Sequence, residues 1–492
     1  MHPILYEINT RCWLRDLSDA RGRKVTLANV SDDEFVHWQG LGVTHVWLMG
    51  VWTTGPKCRA MALAEPDLVR TYDAILPGWR DEDVGGSPYA VAGYQVPRAL
   101  GGESGLAKFR QKLHTHGLKL MLDFVPNHLG LDHPWLRERL DLFVQSPAGV
   151  PGAFAQETAT GVRWLAHGKD PHFLPWNDTA QLDYRCHGVH TAMRELLLSV
   201  AACCDGVRCD MAMLLLNDVF AKTWENFSIT EESHEREFWA EAIPLVKQHH
   251  PEFIFLAEVY WDLEARMQEL GFDFVYDKRL YDELFWRNSI GAQQRLLAAS
   301  PEFIAGCAHF LENHDEPRIA AQLSPTEHRA AALVTLGLPG MRFLHEGQLT
   351  GARVRVPVQL ARRPVEPADL EVARNYDDLL AALQRTAVGR GRAEVLSPRA
   401  AWSGNSTAEN FVLVQWQAAA PEFDLVVVNL AAHRGQCYAP LSVPGLSQHN
   451  WSMRDLLGSE HHERFGMDLA EQGLYLDLAA HGAQIFHFEP QS

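Results

Sequence analysis

The stretch HTAMRELLLSVAACCDGVRCD, residues 190–210, carries two periodicities. Its first part has the spacing of a helix with one apolar face. Its last six residues form a short apolar run that contains Arg208 and ends in Asp210. Residues two apart share one face of a strand, so the two charges point the same way. A single Arg-x-Asp of this kind is ordinarily a structural ion pair. Its meaning depends on whether strand, charge and helix recur together along the chain.

They do recur. Working outward, the strand-like runs are ILYEINTRCW (4–13), THVWLMGVW (44–52), LKLMLDFV (118–125), DGVRCD (205–210), FIFLAEV (253–259), FDFVYD (272–277), FIAGCAHFLEN (303–313) and MRFLHE (341–346). A helical pattern follows each. SDDEFVHWQGLG (31–42), with Ser31 as its cap, follows the first; others fall around 103–117, 233–249, after Asp262, over 278–299, at 324–337 and near 367–386. Near-continuous apolar strands alternating with helices predict a parallel sheet covered on both faces. Eight such units predict an α/β fold, a (β/α)8 TIM barrel with an insertion after strand three. An open doubly wound sheet is the alternative, but no strand runs into a glycine-rich phosphate loop. The barrel is assigned to 1–128 and 184–388, and a small inserted domain to 129–183. After about residue 388, NFVLVQWQ, DLVVVNLA, GQCYAPL and AQIFHFEP are short strands without a recurring helical period. They predict a C-terminal antiparallel β-sandwich domain over 389–492.

Composition narrows the partners. The 492 residues carry a net charge of −18, which argues against nucleic acid or an anionic membrane. No stretch reaches the roughly 18 uncharged apolar residues of a membrane span. MHPILYEINTRCW lacks the pattern of a secretory signal, and the eight cysteines contain no C-x-x-C pair. Reduced thiols in a cytoplasmic protein are the expectation. QHH (248–250) and EHHERF (460–465) read as solvated surface.

Barrel chemistry sits where strands end. Strand three ends in Asp123, followed by Asn127 and His128. Strand four ends in Arg208 and Asp210, strand five in Glu258, and strand seven in Asn313, His314 and Asp315. Four strand ends with carboxylates converging on one rim would repel unless they served a site. Three carboxylates, an arginine and two histidines suit retaining cleavage of a glycosidic bond. Asp210, held ionised by Arg208, would attack the anomeric carbon. Glu258, its pKa raised by an apolar setting, would protonate the leaving oxygen. Asp315 would bind sugar hydroxyls.

With these residues in place the chain resembles the α-amylase family of glycoside hydrolases. The resemblance rests on four short regions in order: DFVPNH (123–128), GVRCDMA (206–212), FLAEV (255–259) and FLENHDEPR (310–318). It implies Asp210 as nucleophile, Glu258 as general acid/base and Asp315 as transition-state stabiliser. It implies Asp123, His128, Arg208 and His314 as substrate-binding companions, and Tyr89, in SPYAVAGY, as the stacking tyrosine. The implied substrate is an α-glucan or a short α-gluco-oligosaccharide. No cofactor is required, and Asn127 matches a calcium ligand of some relatives while also suiting a loop-holding role. DLSDARGRK (16–24) does not match a calcium loop. The chain departs from the pattern at Gly86, where relatives that trim single glucose units carry Asp. It departs at Met213 and Leu214, where many carry Lys and His, and at His345, where Tyr is frequent. Trp135, Trp164 and Trp176 are either sugar platforms or the core of the inserted domain. The alternative functions are glycosyl transfer to a sugar or phosphate, and a non-catalytic glucan-binding role, which would usually go with loss of a carboxylate.

Overall fold

The computed structural model describes residues 2–159, 161–227 and 236–491. Eight parallel strands close a barrel. They are β1 (Ile4–Asn9), β2 (His45–Met49), β3 (Lys119–Phe124), β4 (Gly206–Cys209), β5 (Ile254–Ala257), β6 (Phe274–Tyr276), β7 (Cys307–His309) and β8 (Met341–His345). Each pairs with the next, and β1 closes on β8 with Glu7 opposite His345. Every residue of β2, β4, β7 and β8 is buried. Burial on both faces is why these strands read as unbroken apolar runs rather than alternating ones.

Local chemistry trims several expected elements. The first strand was expected to run to residue 13, but it stops at Asn9. There the Asn9 side chain accepts a hydrogen bond from the Cys12 amide and caps a helix over Thr10–Arg21. The expected helix over 278–299 is two helices, Lys278–Phe285 and Ser289–Ala298. Arg287 turns left-handed between them, and Asn288 caps the second. Part of the run expected as strand seven is a helix, Pro301–Ala305, capped by Ser300, so β7 is only three residues long. Ser31 takes its cap position, yet its hydroxyl donates to Asp33. The helix expected near 233–249 spans Phe238–His249, and its first expected residues, 233–235, lie outside the described residues.

The segment after β3 forms a two-stranded and a three-stranded antiparallel sheet. A second excursion, absent from the sequence reading, follows β2 and holds helices Pro56–Ala64 and Pro66–Ile75. The C-terminal part has a six-stranded and a three-stranded antiparallel sheet, with one short helix, Gly466–Gln472, that no sequence period announced. It is fastened to the barrel. The Trp416 indole donates to the Gly337 carbonyl at 2.8 Å, and Asp424 accepts from the Ala387 amide at 2.6 Å. Among the described residues no helix is long and apolar enough to cross a membrane.

Candidate active site

Arg208 is the hub. It is fully buried, and a buried guanidinium needs its donors taken. Nε donates to the Tyr276 hydroxyl at 3.2 Å and Nη1 to Asp210 at 2.9 Å, while Nη2 lies 2.8 Å from a Glu258 oxygen as an ion pair without a hydrogen bond. The guanidinium also lies 5.3–5.6 Å from the ring centres of Trp47, Tyr89 and Tyr276. One cation therefore bridges two carboxylates inside an aromatic cage.

Backbone geometry fixes both carboxylates. Asp210 follows the last residue of β4, and its amide donates to the Phe124 carbonyl of β3. The next residue, Met211, has a left-handed φ of 42°, which is costly for a side chain of this kind and is typical of functional turns. That turn aims the Met211 amide at Glu258 Oε2, 2.7 Å away. Tyr260 donates its hydroxyl proton to the other Glu258 oxygen at 2.8 Å.

The remaining expected residues gather beside this pair. Asp123 accepts from the Trp47 indole at 3.2 Å and the Gly50 amide at 2.9 Å. Tyr89 joins Asp123 at 3.4 Å and His314 at 2.8 Å, with its ring stacked on His314 at 5.3 Å. Asp315 lies 3.0 Å from His314 Nε2. His128 sits farther out, with its ring 5.0 Å from Trp176. All eight expected residues thus lie in one connected group. Glu7, Trp47, Tyr260 and Tyr276 belong to the same group and were missed. Glu7 was hidden because the first run was read through to Trp13, so its place near a strand end went unseen.

The electrostatics differ from expectation in one respect. Arg208 was expected to keep Asp210 ionised, but burial wins. It pushes the Asp210 pKa up to about 7, with Glu258 adding to the rise and Arg208 only partly offsetting it. Asp123 is raised by burial to about 6. Asp315 goes the other way. Desolvation opposes its charge, but His314, helped by Arg208 and Arg355, holds it well below the usual carboxylate range.

Replacing Arg208 with methionine should therefore leave two buried carboxylates without their cation. Breaking such a group costs about 3–5 kcal/mol. With the cation gone, the Asp210 pKa, already raised by burial, would rise further. The destabilisation should be modest at pH 5, where Asp210 binds a proton, and grow as pH rises to 8. Chemical denaturation at the two pH values measures this, and equal losses would contradict it.

Glu258 and Asp315 line an open cleft of about 610 Å³, within the range of small-molecule sites. Its far wall carries Phe173 and Trp176 from the inserted segment and Trp261 from the loop after β5. Trp261 and Asp262 both have left-handed backbones, and His172 packs edge-on against Trp261 at 4.8 Å. Trp176 is thus a cleft residue. Trp135 packs on His133, and Trp164 lies over Gly149. Met213 and Leu214 are buried, and neither lines the cleft. At Gly86, a Cβ would fall 2.9 Å from the Cys58 sulfur and 3.0 Å from the Arg59 amide, and φ is +80°. An aspartate there would need the backbone to move.

The surroundings of Asn127 do not fit a calcium ion. Its Oδ1 accepts from Gln181 Nε2 at 2.9 Å, and its Nδ2 faces Gln181 Oε1 and His128 Nδ1. A hard cation needs a cage of free oxygens. Here Asn127 ties the loop after β3 to the strand Thr179–Gln181.

Comparison with known proteins agrees with this architecture. A family model for the alpha-amylase catalytic domain matches residues 34–385. The chain is 25% identical to alpha-amylase MalA of Haloarcula japonica over 273 residues, 53% of this chain and 36% of that protein. It is 22% identical to alpha-amylase 3 of Dictyoglomus thermophilum over 386 residues, 75% of this chain and 68% of that protein. The match thus spans little more than a third of the Haloarcula protein. Among solved structures, an alpha-amylase from Geobacillus thermoleovorans complexed with acarbose superposes with a TM-score of 0.67 at 18% identity, covering 100% of this chain and 99% of that one.

Proposed function

From the premise that the chain belongs to the α-amylase family, we propose that it is a glycoside hydrolase that cleaves α-glucosidic bonds with retention. The observation that carries this is the single guanidinium shared by Asp210 and Glu258. Retaining cleavage needs two carboxyl groups about 5–5.5 Å apart, whereas inversion leaves room for a water between them. Two carboxylates on one guanidinium fit the closer spacing.

In this reading the cleft admits a sugar against Asp315 and Glu258. Glu258 gives its proton to the departing oxygen as Asp210 forms the bond to the anomeric carbon. Water, activated by the same Glu258, then releases the sugar. Asp315, Asp123 and His128 hold hydroxyls of the reacting ring, and His314 fixes Asp315. The Tyr89 ring supplies an apolar face beside it. The substrate is an α-glucan or an α-gluco-oligosaccharide. Eight free cysteines, seven of them buried, support a cytoplasmic setting.

Asp210 must lose its proton to attack, and burial together with Glu258 raises its pKa. The acidic limb of kcat/KM should therefore lie above the ordinary carboxylate range. A pH profile with short maltooligosaccharides tests this, and full activity at pH 5 would contradict it.

The aromatic wall of Phe173, Trp176 and Trp261 favours testing a second reading, transfer to a sugar acceptor. Faces of this kind bind sugars as readily as they shield a leaving group. Product analysis with added glucose or maltose separates the two. Oligosaccharides longer than the substrate mark transfer, and glucose and maltose alone mark hydrolysis.

A further inference from the structure

We propose that Glu7 is a positioning residue that holds the His314 ring doubly protonated, so that one ring nitrogen donates to Glu7 and the other, hydrogen-bonded to the Tyr89 hydroxyl, places positive charge beside Asp315. The role given to Asp315 rests on the proposed function; the protonation of His314 does not.

The argument is a count of donors. Glu7 lies on β1, fully buried, with Oε1 2.5 Å from His314 Nδ1. A carboxylate only accepts, so Nδ1 carries a proton. Nε2 is 3.0 Å from Asp315 Oδ2 and 2.8 Å from the Tyr89 hydroxyl. A neutral ring protonated at Nδ1 would leave an unprotonated, electron-rich Nε2 3.0 Å from the Asp315 carboxylate. Placing a second proton on Nε2 removes that repulsion. The Tyr89 hydroxyl then accepts from Nε2 and directs its own proton to Asp123. The result is one cation between two anions, with every proton assigned.

Other charges around the ring oppose this state. Arg208 lies over Tyr89, and Arg318, Arg355, Arg363 and His345 line a small cavity beside His314, with Arg363 paired to Asp16 and Glu346. Of these, Arg318 is neutralised by Glu312 at 2.5 Å, and His345 faces the same Glu312 at 3.3 Å. Burial also disfavours charge on His314, yet Asp315 and Glu7 together hold its pKa well above the ordinary histidine range. The second Glu7 oxygen is buried without a hydrogen bond, and His345 Nε2 lies 4.0 Å from it. A buried carboxylate satisfied on one side only is costly. The ion pair with His314 offsets that cost. A cationic His314 in turn pairs with Asp315 and fixes its direction at the cleft.

Nitrogen-15 NMR of histidine-labelled protein tests this directly, with the His314 signal assigned by its loss in His314→Gln. At pH 8 the intact protein should show both His314 nitrogens protonated. In Glu7→Gln, whose amide keeps the size and a hydrogen bond, the His314 titration should fall by about one unit or more, the shift one neighbouring charge produces. The basic limb of kcat/KM should move down in step. A neutral His314 at pH 8 in the intact protein would overturn the proposal, even if Glu7→Gln failed to fold. So would an unchanged His314 titration in a folded Glu7→Gln. An inactive protein with a doubly protonated His314 would count against the hydrolase reading alone.

Discussion

Asp210→Ala should abolish turnover, with kcat falling by about 10⁴-fold or more, the scale seen when a covalent nucleophile is removed. Among the described residues, the neighbouring carboxylates are not placed to replace it. Glu258 is held by the Met211 amide and the Tyr260 hydroxyl, and Asp315 is held by His314. The loss should come without unfolding. Asp210 is a raised-pKa carboxyl, so its folded form is disfavoured as pH climbs from the ordinary carboxylate range to about 7. Removing it relieves that cost, and Arg208 keeps Glu258 as counter-ion. Steady-state rates on maltooligosaccharides and thermal melts at pH 8 check both halves. Activity within tenfold of the intact protein would remove Asp210 from the chemistry.

Glu258→Gln should show the second largest effect, and it should depend on the leaving group. Loss of a general acid costs about 10²–10⁴-fold where the departing oxygen needs a proton. α-Glucosyl fluoride leaves without one, so its rate of glycosyl transfer to the enzyme should fall far less than that of maltotriose. A pH signature accompanies this. Glu258 is one of the groups that raise the Asp210 pKa, so the neutral glutamine should let it drop. The acidic limb measured with the fluoride should then shift to lower pH. Equal losses on both substrates would mean that Glu258 acts through structure alone.

The barrel was legible because parallel strands buried on two faces leave continuous apolar runs, and β2, β4 and β8 are of that kind. The charges at their ends were legible for the same reason, since an ionised side chain closing such a run stands out. Arg208 and Asp210 share a strand, so their contact followed from the two-residue spacing. The contact of Arg208 with Glu258 did not, because it crosses from β4 to the end of β5. Nor did the depth at which Asp210 lies, which reverses the expected balance between burial and Arg208. Strand ends were the weakest part. Asn9 caps a helix by a side-chain bond that an apolar pattern does not record, and this concealed Glu7. The departures at Met213 and Leu214 were visible, but not that both turn inward, because a short 3₁₀ turn over Ala212–Leu215 redirects them.

The nucleophilic role of Asp210 is tested most directly by the anomer released first from α-glucosyl fluoride, followed by proton NMR before mutarotation. Attack by Asp210 and a second displacement by water give α-glucose first. β-Glucose as the first product would mean a single displacement by water and would contradict that role.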